Sequence, residues 1–381
     1  MGQVKMEPVA GVVQAQVMPM QPMQAQVVSA GGMDFVAFQN LANVNNLEFK
    51  QGNVFWEAVS GGCMPNSYML SDRNSSDAHG KMTPVFIMQE ESDCTCRACC
   101  APNQPAFVKF YNVANGGEQP ASKCCCITLQ EARTRYNKAG EAIMTLEKPG
   151  CFSNCAQCGP TNCFVCAPIC QSEAFMHTGN IDSVYSPKGC GPCCKVDHWD
   201  FPRGGPGKAP KMNVFSHAQV PILGGGCTPT VNIMERTGTL QGLNPPPAAP
   251  FAVVEGPTCF GGCMDLCCQT KFMVSSQKGK AADIAVISKK APQGACGMCA
   301  ALCTPADTYN LDFNVDAKIT PKQKAAIVGE IVHLDFLFFE AEQPLCRYNE
   351  DNKMCYILLC TCYCFGALCP CELCVPCKES S

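Results

Sequence analysis

Between residues 304 and 340 the chain holds an alternating strand, a marked helix start and its most apolar helix. The strand is predicted over 310–316, with Leu311, Phe313 and Val315 on one face and Asp312, Asn314 and Asp316 on the other. Thr320-Pro321-Lys322-Gln323 then supplies an N-cap threonine, a proline at the first helical position and a glutamine placed to close a capping box. The predicted helix, 321–339, is apolar on almost every side from Ala325 to Phe339, yet it carries Glu330, His333 and Asp335.

A helix of this kind needs an apolar surround, either a bilayer or a protein core. In a bilayer its large apolar side chains would together gain about 3–5 kcal/mol, while Glu330 and Asp335 would each cost about 2.5–3.5 kcal/mol at the centre. That sum is near zero or unfavourable, and the purely apolar stretch falls short of the ~20 residues a span needs. Inside a protein the same polar groups can find partners. The reading is therefore a helix enclosed by strands.

The rest of the chain supplies such strands. Short β-type runs, at 54–60, 67–71, 84–89, 106–112, 142–147, 230–235, 251–255, 270–275 and 282–288, alternate with Gly, Pro, Asn and Cys clusters. Many short strands with turn signals argue for a barrel or sandwich, and one apolar helix after them argues for a barrel with something inside. Residues 1–33 repeat Met, Gln, Pro, Val and Ala without helix or strand period and are expected to be a disordered tail, a place for protein contacts. A net charge of −4 gives no reason to expect nucleic acid, and only 16% of residues are charged, which suits a protein that meets membrane.

The outlier is cysteine, at 34 residues. No signal-peptide core precedes a cleavage site, so a reducing, cytosolic location is expected, with thiols free, metal-bound or acylated. Cys155/Cys158 and Cys163/Cys166 have the local spacing of zinc ligand pairs, although the gap between them is far shorter than usual. Residues 354–371 run without a charge, near the length at which a membrane span becomes an option. This tail, 341–381, has three readings: an acylated patch lying on the membrane, placed first, a short span, or a metal-binding tail. No Walker pattern supports ATP use, and none of the 5 histidines sits in an HExxH arrangement, so no covalent chemistry is expected.

Several pieces together resemble the phospholipid scramblase family. They are NLEFKQGNVFWEAVSGGCMPNSYML at 46–70, ESDCTCRACCAPNQPAFVKFYN at 91–112, GEAIMTLEKPGC at 140–151, GCTPTVNIMER at 226–236, EGPTCFGGCMDLCC at 255–268, and the stretch from ADTYNLDF to HLDFLFFE that closes the domain at 340. The resemblance spans 46–340, with insertions near 113–139 and 180–215. It implies a mainly β fold, a twelve-stranded, tubby-like barrel around the C-terminal helix. It also implies S-acylation of the run after strand 140–147, here Cys151, Cys155, Cys158, Cys163, Cys166 and Cys170, and weak calcium binding by an acidic loop, here Asp307, Asp312, Asn314 and Asp316.

The activity implied is ATP-independent movement of phospholipids between leaflets, at the cytosolic face of the plasma membrane. Glu330, His333 and Asp335 are the polar residues best placed to line a lipid path, although His333 also reads as an ordinary core histidine. The rival classes are a lipid-tethered tubby-like scaffold that moves no lipid and a cysteine-rich metal-binding protein, with zinc as the metal.

Overall fold

The computed structural model describes residues 33–52, 66–77, 80–91, 106–115, 123–124, 127–128, 136–148, 172–180, 214–236, 249–291, 308–339 and 346–376. Strands β1 (Asn46–Gly52), β2 (Ser67–Ser76), β3 (Met82–Glu91), β4 (Ala106–Asn115), β5 (Tyr136–Lys148) and β6 (Glu173–Thr178) form one half of a closed barrel. Strands β7 (Val214–Gln219), β8 (Thr230–Glu235), β9 (Ala252–Glu255), β11 (Lys271–Ser275), β12 (Ala285–Lys289) and β13 (Thr308–Phe313) form the other. The short β10 (Cys259–Phe260) leaves the wall for a second sheet and is followed by a brief helix, α2 (Cys263–Cys267).

Each wall strand pairs antiparallel with the next, and β13 returns to β1 with Leu47 opposite Leu311 and Phe49 opposite Tyr309. Closure removes every free edge from the wall. The period of two is plain: Leu47 and Phe49, Tyr68 and Leu70, Phe86 and Met88, and Tyr309, Leu311 and Phe313 are all buried in one core.

The interior is filled by α3 (Pro321–Leu334), whose last turn, Asp335–Phe339, widens into a π-helix. Both halves of the capping box form: Gln323 N–H donates to Thr320 Oγ1 at 3.2 Å, and Thr320 N–H donates to Gln323 Oε1 at 2.8 Å. Every residue from Lys324 to Leu334 is buried. No described helix is long and apolar enough to cross a membrane, a statement that does not bear on crossing by strands.

A helix that the sequence reading did not anticipate, α1 (Met33–Ala42), packs on α3. Lys324 joins the two, donating from Nζ to Ala42 O at 3.2 Å, Val44 O at 3.0 Å and Asn45 Oδ1 at 2.9 Å. A cation at the C-terminal end of α1 satisfies carbonyls that the helix leaves unpaired and complements its dipole.

Two expectations need correction. Strand β13 ends at Phe313, not at 316, and Val315 is 77% exposed instead of facing the core. There Asn314 turns the chain: its Oδ1 accepts from Asp316 N–H at 3.0 Å and its carbonyl accepts from Ala317 N–H at 3.0 Å. Strands β1, β6 and β7 form where no strand was expected, and the expected strand at 54–60 lies outside the described residues. The uncharged run at 354–371, for which no secondary structure was predicted, forms a β-hairpin of β15 (Met354–Cys364) and β16 (Ala367–Pro376). With β14 (Cys346–Asn349) and β10 it makes a four-stranded sheet.

That sheet docks where the turn at Ile222–Gly225, between β7 and β8, comes closest to the hairpin. A Cβ on Gly224, which has φ +64°, would lie 2.7 Å from Gly366 Cα, so glycine there is a condition of contact. Tyr363 inserts between them, buried, with its hydroxyl donating to Gly224 O at 2.9 Å and its ring edge-on to Phe338 at 5.8 Å. On the other side Phe260 of β10 meets Phe338 at 5.6 Å and Phe339 at 5.8 Å, the last turns of the central helix.

Candidate functional site

Polar groups inside the barrel gather around α3. One helical turn places Glu330 and His333 on the same face, and His333 Nδ1 lies 3.3 Å from Glu330 Oε2. The opposite ring nitrogen, Nε2, lies 3.3 Å from Ser172 Oγ, just ahead of β6. Among the described residues, Glu330 Oε1 is buried with no hydrogen-bond partner. Asp335 stands apart from this pair, accepting from Tyr309 Oη at 2.8 Å and Tyr68 Oη at 3.1 Å. Two tyrosines on the carboxylate offset part of its desolvation and fix the helix against β2 and β13.

The same interior holds cations at the C-terminal ends of two strands. Lys148 of β5 sits 5.5 Å from the Phe336 ring centre, and Lys289 of β12 sits 4.1 Å from that of Phe339 while pairing with Asp265 at 2.9 Å. These lysines escaped the sequence reading, yet strand parity could have found them. Lys148 follows Met144 and Leu146 at steps of two, as Lys289 follows Ala285 and Ile287. Tyr309 has the parity of Leu311 and Phe313 and was legible in the same way.

Thus Glu330 and His333 are brought together, and Asp335 is given two partners. All three lie in the core, at 1%, 0% and 3% exposure.

The acidic set does not assemble in this way. Asp312 faces away from the core and pairs with Arg73 across β1. The Asn314 side-chain oxygen is taken by Asp316 N–H, and Asp307 lies outside the described residues. Among the described residues, no acidic or histidine side chains gather in threes closely enough to hold a cation. Cys151, Cys155, Cys158, Cys163, Cys166 and Cys170 also lie outside the described residues.

Residues 244–341 match the family model described as Scramblase. Over that segment the chain is similar to the scramblase family. A comparison with curated proteins finds no match. The matched segment runs from the approach to β9 through α3, so it takes in the closing strands, the helix they enclose, and Glu330, His333 and Asp335. The scramblase-like segment includes β10 of the second sheet but excludes its other three strands, β14, β15 and β16, which begin just after it ends.

Proposed function

We propose that this chain moves phospholipids in both directions between membrane leaflets, without ATP and with no bond made or broken, from the cytosolic face of the plasma membrane. The observation that carries this reading is the family match over the closing strands and the central helix. Drawing a headgroup through hydrocarbon is costly because its charges lose water. Glu330, His333 and Asp335 supply polar partners for such a headgroup, and Glu330 Oε1 lacks one among the described residues. The barrel must open for lipid to reach them.

Attachment in this reading is by thioesters on Cys151, Cys155, Cys158, Cys163, Cys166 and Cys170, since several chains hold firmly where one holds marginally. The hairpin adds an apolar outer surface, with Leu359, Phe365, Leu373 and Val375 each at least 40% exposed. Calcium acts weakly, through Asp307, Asp312, Asn314 and Asp316, and must compete with Arg73 for Asp312.

Purified, acylated protein in liposomes is expected to exchange labelled phospholipid between leaflets without nucleotide, and Glu330→Gln with His333→Ala to slow it. Asp307→Ala with Asp316→Ala is expected to remove any calcium response. A second reading, a lipid-tethered scaffold, is favoured by the complete enclosure of α3. Folded, acylated protein that exchanges no lipid would establish that reading in place of the first.

A further inference from the structure

The hairpin reverses the rule of the barrel by placing its thiols together. A register shift between Leu358 and Cys360 changes the phase of β15. After it Thr361 and Tyr363 face inward and are buried, while Cys360 and Cys362 share the opposite face. Cys259 of β10 lies directly across from Cys362, and Cys371 of β16 directly across from Cys360.

The sulfurs converge accordingly. Cys259 and Cys362 lie 3.0 Å apart, Cys362 and Cys371 3.5 Å apart, and the Cys259, Cys360 and Cys362 sulfurs all fall within 4.8 Å of one another. Tetrahedral zinc with Zn–S bonds of about 2.3 Å would space its sulfurs by about 3.8 Å. The Cys259–Cys362 and Cys362–Cys371 separations fall within about 1 Å of that value, so small side-chain rotations suffice for those pairs. Without a cation the gathered thiols oppose one another's ionisation. Burial, followed by hydrogen bonding and charge from Cys362, pushes the Cys360 thiol up to about 12.

We infer that Cys259, Cys360, Cys362 and Cys371 form a structural metal site for a soft, tetrahedral cation of the zinc class. The zinc pairs suggested by sequence spacing, Cys155/Cys158 and Cys163/Cys166, are different residues. Binding replaces four S–H bonds with four metal–sulfur bonds and releases the protons to solvent, so the site weakens as pH falls. Its ligands come from three strands, and β10 is anchored to the central helix by Phe260. The metal therefore rivets the C-terminal sheet to the barrel.

Full-length protein purified under thiol-preserving, anaerobic conditions tests this. Elemental analysis is expected to show about one zinc per chain more in the unaltered protein than in Cys360→Ser/Cys362→Ser. Mapping of alkylated cysteines by mass spectrometry on the unaltered chain needs no variant to fold. Cys259, Cys360, Cys362 and Cys371 should label about tenfold more slowly than exposed Cys268 and Cys374, and a chelator should remove the difference. Equal zinc in both proteins, labelling indifferent to chelator, or a Cys259–Cys362 disulfide in the trapped protein would each overturn the assignment.

Discussion

The barrel and the C-terminal sheet are both antiparallel, but they bury their strands by different means. Barrel strands alternate Leu, Phe, Met, Val and Tyr toward a helix that fills the lumen, so each inward position is covered from the far side. The hairpin β15–β16 has only one covered face, touched down through Leu358, Thr361 and Tyr363. Its other positions go to cysteine and to exposed Leu359, Phe365, Leu373 and Val375. None of the described free cysteines classed by exposure is buried. An equally apolar strand thus becomes core where a helix is supplied to cover it, and a surface bearing thiols where none is.

If the barrel interior carries most of the stability, a charge placed in it should have the largest effect. Val332→Asp puts a carboxylate at a position with 0% exposure, on the same helix face as Asp335 three residues on. An uncompensated buried charge costs about 3–5 kcal/mol, enough to unfold many domains. Loss of the cooperative melting transition by circular dichroism is expected. Phe336→Asp is expected to be milder, because Lys148 lies 5.5 Å from that ring and can pair with the new carboxylate. Equal damage from the two would remove Lys148 from the account.

Tyr363→Ala tests whether the sheet is a separate unit. It deletes a buried ring and leaves Gly224 O without its donor, a loss of about 3–5 kcal/mol by analogy with other aromatic truncations, but confined to the docking contact. Limited proteolysis should then cut within 346–376 while the barrel's melting transition stays close to that of the unaltered protein. A single transition in which both regions fall together would show one cooperative unit instead of two.

The same contrast explains what could be read in advance. Strand alternation and the Thr320–Gln323 box announced the enclosed helix because both are local, and the structure bears out a twelve-stranded barrel around it. Strands β6 and β7 escaped because Glu173, His177, Ser216 and His217 interrupt their apolar pattern; Glu173 takes a hydrogen bond from Gln219 and His177 pairs with Glu147 at 2.8 Å, and both partners are non-local. Hydropathy over 354–371 gave the right impression of an apolar run but could not show its form, because Phe365-Gly366 makes a tight turn only once β15 and β16 find one another. The four-thiol cluster was invisible for a similar reason: Cys259 is far from Cys362 in the chain and meets it only across β10 and β15.

Smaller effects should come from the barrel's ends. Thr320→Ala removes the acceptor for Gln323 N–H and half of the reciprocal cap, at about 0.5–2 kcal/mol. Chemical denaturation should show the midpoint lowered with an unchanged slope, since the surface exposed on unfolding is the same. A changed slope would mean that the cap also holds α3 within the barrel.

The smallest effect is expected at the turn between β11 and β12, which belongs to the barrel but not to its core. Asp283 accepts from Ser276 N–H and Ser276 Oγ, both at 2.7 Å, and from Lys280 Nζ at 2.6 Å. The hydrogen bond from Lys280, then that from Ser276, holds its carboxyl at about 2, down from an ordinary 3.8. The depressed folded value means that the charged carboxylate favours the folded state. Its contribution is complete above the unfolded pKa and is lost as pH falls from about 4 through about 2. The side chain is 31% exposed and Lys280 52%, so solvent screens the pair, and Asp283→Asn should cost no more than about 1 kcal/mol at neutral pH. Melting temperatures of the two proteins should therefore differ slightly at pH 6 and converge toward pH 2. A difference that persists undiminished at pH 2 would assign the effect to the shape of the Asn side chain and not to the charge of the carboxylate.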